Sequence, residues 1–128
     1  MGEIHDDAAQ DQARARREER ARDLLLAHGA DRLSPRPWRP PPVPTSATDL
    51  TQYALWHAAE LTREELLGAL SLVSAARDEQ EGVEAGLLFV ARGEGLTWSE
   101  IADAMGFRSK QACQQHVDRL TARRGNRS

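Results

Sequence analysis

Hydrophobic positions recur three and four residues apart through most of the chain, the spacing of one face of an α-helix. The pattern is clearest from Gly95 to Leu120, GLTWSEIADAMGFRSKQACQQHVDRL. Ile101, Ala102 and Met105 share one face of a short first helix. Cys113, Val117 and Leu120 line one stripe of a second, with Ala112 and His116 beside it. Thr97 or Ser99 is placed to cap the first helix, and Ser109 the second, because a hydroxyl there accepts a hydrogen bond from a free backbone N–H. Gly106 can take the left-handed conformation that ends a helix. Ala102, four residues earlier, is small enough for another helix to cross closely. Opposite the second stripe stand Gln111, Gln114, Gln115 and Asp118, with Lys110 at the N-terminal end.

Upstream the same period continues with different chemistry. Residues 6–28 are rich in alanine and charge, contain no proline or glycine, and end LLLAH, with Gly29 next as a stop signal. Their acidic and basic groups fall at spacings that pair on a helix surface. Only Leu24, Leu25 and Leu26 offer an apolar patch, so this helix reads as solvated and docked by its last turn, or as a partner or dimer helix anchored by those leucines; an Arg-rich arm on DNA is disfavoured because carboxylates balance its arginines. Ser34–Pro44 holds all six prolines and predicts an extended connector, with Trp38 able to dock on the domain surface. Ser46 or Thr48 opens a short helix. Thr62-Arg63-Glu64-Glu65 spells a capping box, with Leu61 and Leu66 as its hydrophobic staple. The series Leu66, Leu70, Val73, Ala76, Gln80, Val83, Leu87, Val90 then predicts one long helix, about Arg63 to Arg92, unless Arg77-Asp78-Glu79 divides it. Gly82 and Gly86 each weaken that helix by roughly 1 kcal/mol relative to alanine, and glycines four apart admit a close helix crossing.

No stretch alternates with period two, and no hairpin turn is flanked by branched residues. The fold expected is all-α: a charged N-terminal helix over 1–33, a Pro-rich linker over 34–44, and a helical domain over 45–128 that ends in a helix-turn-helix without a wing.

Composition narrows the function. The 128 residues fit one small domain with an appendage, too little for a large enzyme pocket. No run approaches the roughly 18 apolar residues of a membrane span, and the N-terminus lacks the apolar core of a signal peptide. A cytoplasmic, nucleoid-associated protein is expected. The net charge of −3 argues against nucleic acid until it is divided along the chain. Residues 1–44 are neutral, 45–93 carry −5, and 94–128 carry +2. From Ala104 onward Asp118 is the one acidic residue against six basic groups.

The four histidines are scattered, without cysteine or carboxylate at ligand spacing, and no phosphate loop or nucleophile elbow occurs. Glu64 and Glu65 are explained by the cap, Cys113 by the apolar stripe, and Trp98 by a place between the two helices. No cofactor, metal or enzymatic activity is expected.

An apolar stripe backing a row of amides and bases is what a helix entering the major groove needs. Gln111, Gln114 and Gln115 are the candidate base readers, since a glutamine amide pairs bidentately with adenine. Arg108 and Lys110, at the helix entry with Ser109, suit guanine or phosphate. Thr97, Ser99, Arg119, Arg123 and Arg124 are candidate phosphate contacts, which hold register without reading sequence.

The run Trp98-x-x-Ile101-Ala102-x-Ala104-x-Gly106, followed by Ser109-Lys110-Gln111-Ala112, resembles the helix-turn-helix of small actinobacterial DNA-binding proteins. Some of these are named as transcriptional regulators of a small heat-shock protein. The resemblance runs from about Ala76 to Leu120, and its turn, Gly106 to Ser109, is one residue longer than the commonest form. It implies double-stranded DNA as partner and transcriptional regulation as function. The rival expectation is a non-enzymatic module that docks on polymerase or another regulator, supported by the acidic 45–93 segment. A homodimer through the 48–92 helices is also expected, because the 66–90 stripe is longer than one small domain needs. The alternative use of that stripe is packing against the 49–59 helix and the Ile101/Val117 core.

Overall fold

The structure is a computed structural model that describes residues 2–127. It is all-helical: α1 (Gly2–His28), α2 (Ala47–Trp56), α3 (Arg63–Ser71), α4 (Val73–Gly93), α5 (Trp98–Met105) and α6 (Lys110–Arg127), with short 3₁₀ turns at Ala30–Arg32 and Ala58–Glu60. No strand occurs among the described residues, where one isolated bridge pairs Arg36 with Arg39. No described helix is long and apolar enough to cross a membrane. The chain divides into two compact units, Met1–Glu79 and Gln80–Ser128.

The first unit is built around Ala21, Leu25, Ala30, Leu50, Ala54 and Leu72, all buried, with Leu26, Tyr53, Leu61 and Ala69 packed against them. Two of these core residues come from α1, so that helix is no appendage: the 1–33 segment and the 45–79 segment share one core. The reason lies in small side chains. A β-carbon placed on Gly68 of α3 would lie 3.3 Å from that of Ala21, so α1 and α3 meet nearly backbone to backbone. Along α1 the apolar signal is then reduced to Ala21 and Leu25, four residues apart, within a run of charge. Gly29 ends α1 at φ 149°, and its bare α-carbon admits the Tyr53 hydroxyl, which would stand 2.7 Å from any β-carbon there. That hydroxyl also meets His28 Nδ1 at 2.7 Å.

The Pro-rich segment departs from an extended connector. Arg39 N–H donates to the Arg36 carbonyl at 2.9 Å, closing a turn. The Arg36 guanidinium grips both Asp49 oxygens, at 3.0 and 3.2 Å, and Arg22 donates to the Thr45 carbonyl at 2.7 Å. Arginines rather than Trp38 secure the segment; Trp38 is 80% exposed. Ser46 caps α2 by accepting from Asp49 N–H. Glu79 completes that helix end from a distance: one oxygen accepts from Ala47 N–H at 2.8 Å, the other from Thr48 N–H at 2.9 Å. A carboxylate at a helix N-terminus satisfies orphan donors and complements the dipole. Glu79 thus fixes α2 instead of breaking the helix it belongs to.

The predicted 63–92 helix is divided, but at Leu72. The Ser71 hydroxyl donates to the Gly68 carbonyl and Leu72 N–H to that of Ala69, so the last turn of α3 tightens. Leu72 itself is fully buried. The Thr62–Glu65 capping box forms as spelled.

The Arg36 guanidinium, through its hydrogen bonds, holds the Asp49 carboxyl below its ordinary range. A carboxyl depressed in the folded state contributes stability that is complete above its unfolded pKa, about 3.9, and is lost as pH falls through the folded value. Thermal unfolding followed by circular dichroism from pH 6 to pH 2 should therefore show a shallower acid limb for Asp49→Asn than for the wild type. Identical limbs would remove Asp49 from the acid response.

Candidate nucleic-acid interface

In the second unit each boundary of α5 and α6 is set by a local signal. Thr97 Oγ1 accepts from Glu100 N–H at 3.1 Å, and Glu100 returns a carboxylate oxygen to Thr97 N–H at 2.9 Å. Those bonds, the one to the Thr97 backbone foremost, lower the Glu100 pKa. At the far end Gly106 sits at φ 81°. Its N–H donates to the Asp103 carbonyl, and Phe107 N–H donates to that of Ala102, the bond pair of a Schellman motif. The turn then runs to Ser109, whose hydroxyl accepts from Ala112 N–H at 3.1 Å and starts α6.

Leu88, Ile101, Ala102, Cys113 and Leu120 form the buried core, flanked by Ala85, Ala91, Trp98, Phe107 and Val117. The stripe read from the sequence is therefore the inner face of α6. Trp98 lies under the Arg92 guanidinium, 4.8 Å from the ring centre. Burial, and secondarily the Glu84 carboxylate, raises the Cys113 thiol pKa.

Cys113 and Leu120 inward dictate what points outward. Gln111, Gln115 and Asp118 fall on the opposite face and are exposed; Gln114 and Arg119 stand on its two shoulders, the former half-buried, the latter exposed. Arg108, Ser109 and Lys110 are exposed at its N-terminal end. These eight side chains make one polar surface of amides and bases with a single carboxylate.

The remaining candidates lie elsewhere. Thr97 belongs to α5 and its oxygen is engaged by the cap, while Ser99 is exposed in the first turn of that helix. Arg123 is turned toward α4, where it meets Glu81 at 3.3 Å. Arg124 also lies against α4, its guanidinium 3.1 Å from where a β-carbon on Gly82 would sit. His116, between shoulder and core, pairs with Glu84 of α4 and lies tilted against Phe107, their ring centres 5.2 Å apart. Asp118 is exposed on the polar face, where the sequence pattern alone assigns it no role. Its signal was present in the spacing, seven residues from Gln111 and three from Gln115. The ties to Glu81 and Glu84 had none, because their partners are more than 30 residues away.

Three faces of α4 within this unit are thus distinct. Leu88 points into the core. Glu81, Glu84 and Arg92 are engaged by Arg123, His116 and Trp98. Val83, Leu87, Phe89 and Val90 are exposed, at 54%, 66%, 83% and 57%. The upper half of the long stripe consequently does not pack on the Ile101/Val117 core. In the first unit Leu66, Leu67 and Leu70 of α3 are likewise exposed, as are Leu55 and Trp56 of α2. Compared with family models, with curated proteins and with solved structures, the chain matches none.

Proposed function

We propose that the protein binds double-stranded DNA sequence-specifically, with α5, the Gly106–Ser109 turn and α6 acting as a helix-turn-helix without a wing, and that it regulates transcription. The observation that carries this reading is the exposed polar face of α6, set opposite a fully buried Cys113 and Leu120. Gln111 and Gln115, one turn apart, read adenine edges, and Gln114 reaches the groove from one shoulder. Asp118 accepts from cytosine N4 where a phosphate contact would be repelled. Arg108, Lys110 and Arg119 supply the positive charge that holds the helix on the backbone, with Ser109 beside them. Thr97 and Ser99 approach phosphate at the start of α5. Arg123 and Arg124 contribute less, because Arg123 is already matched by Glu81.

The second reading, a module that docks on polymerase or another regulator, draws on the exposed Leu55, Trp56, Leu67 and Leu70 of an acidic segment. Genomic fragments selected by the full chain and assayed by electrophoretic mobility at two salt concentrations separate the two. DNA binding requires a discrete complex that survives random competitor and weakens with salt in proportion to the phosphates contacted. No complex at micromolar protein and low salt would overturn it.

A further inference from the structure

We infer that the exposed face of α4 in the second unit is the contact for a second copy of the same chain. The helices would cross antiparallel about a two-fold axis beside Gly86. The inference goes beyond DNA binding and does not depend on it.

Three observations converge. The first is charge. Every ionised group between Gln80 and Gly93 is turned away: Glu81 to Arg123, Glu84 to His116, and Arg92 over Trp98. The face that remains, Val83, Gly86, Leu87, Val90 and Gly93, carries no ionisable residue of α4, and the one guanidinium beside it, that of Arg124, lies at its edge next to Gly82, so the centre of the face can meet a second copy without like charges opposing.

The second is shape. A β-carbon on Gly86 would meet no atom within 4 Å, and the same holds at Gly93. The glycine therefore answers to nothing inside its own chain, although it weakens the helix. Bare backbone in mid-helix is what lets a second helix approach closely. In an antiparallel pair with Gly86 opposite the partner's Leu87, Val83 falls opposite the partner's Val90, and both pairings repeat through the two-fold. An isologous contact must be self-complementary in this way.

The third is area. Val83, Leu87 and Val90 are each more than half exposed, and with Phe89 at the edge of the face they present on the order of a few hundred Å² of apolar surface, the size at which a patch marks an interaction site. That is below the roughly 800 Å² per partner of a standard stable interface, so the contact is a weak, reversible one.

Gly86→Leu separates this contact from folding. The new side chain has open space in the monomer and favours the helix, yet it fills the seat of the partner's Leu87. Sedimentation equilibrium of the full chain from 1 to 300 μM should show a monomer–dimer equilibrium for the wild type. Gly86→Leu and Leu87→Glu should each weaken it at least tenfold, with the helical circular dichroism of Gly86→Leu unchanged and its melting temperature no lower. Leu70→Glu, in the first unit, should leave the equilibrium in place. A wild type that stays monomeric at 300 μM overturns the proposal. So does a dimer unaffected by Gly86→Leu, or one that Leu70→Glu dissolves. Since none of these readouts involves DNA, failure here leaves the mobility assay to stand or fall separately.

Discussion

With α6 as the proposed recognition helix, Gln111→Ala and Gln115→Ala should each weaken binding at the selected DNA site by about 1–3 kcal/mol while leaving binding to random DNA nearly intact. Both side chains are exposed on α6, so neither truncation opens a cavity, and alanine is the better helix former. Any loss is then a loss of contact rather than of structure. The two positions are one turn apart and share neighbouring bases, so the double variant is expected to fall short of the sum. Competition titrations with the selected site and with random duplex, at one salt concentration, give the ratio directly. Equal losses on both duplexes would mean that the glutamines are solvated and that α6 reads no sequence. Asp118→Ala should provide the contrast: on the same proposal it removes a charge that would repel phosphate, so affinity for random DNA is expected to rise and discrimination to fall.

Leu25→Ala should be the most damaging single change in the first unit, at about 2–5 kcal/mol. Leu25 is fully buried beside Leu50 and Leu72, in a core whose other members are mostly alanine. Neighbours that small cannot collapse into the space. Arg14→Ala, a few turns earlier on α1, removes an exposed pair with Asp11 and should cost next to nothing. Denaturant unfolding of the two variants tests whether α1 is part of the fold. If both behave like the wild type, the helix is the solvated appendage that its composition describes.

That contrast marks where the sequence can be read and where it cannot. Ser46, Thr62, Thr97 and Ser109 each accept a backbone N–H three residues on, and Gly29 and Gly106 end helices with positive φ. These signals act within one turn, so residue identity at a fixed offset suffices to find them. The inner stripe of α6 is equally local in period. The burial of α1 is not, because it rests on the methyl of Ala21 meeting the bare backbone of Gly68 across 47 positions, a contact between two residues too small to register as hydrophobic. The break at Leu72 and the remote cap from Glu79 depend on which helix lies alongside. The 66–90 stripe has the period of a helix but not, in the second unit, the alternative packing on the Ile101/Val117 core: Val83, Leu87 and Val90 are exposed, and Leu88, with Ala85 and Ala91, faces that core instead.

Cys113 gives the second unit a built-in clock. It is the protein's one cysteine; its sulfur is fully buried, and the thiol's raised pKa keeps it in the unreactive protonated form. An alkylating reagent can modify it only while α6 is lifted from Leu88 and Ile101. Where reclosing outruns alkylation, the labelling rate reports the free energy of that opening, about tenfold slower for each 1.4 kcal/mol. A duplex that engages the outer face of α6 would slow the clock by the free energy with which it holds the helix down, in unlabelled native protein and with no residue changed.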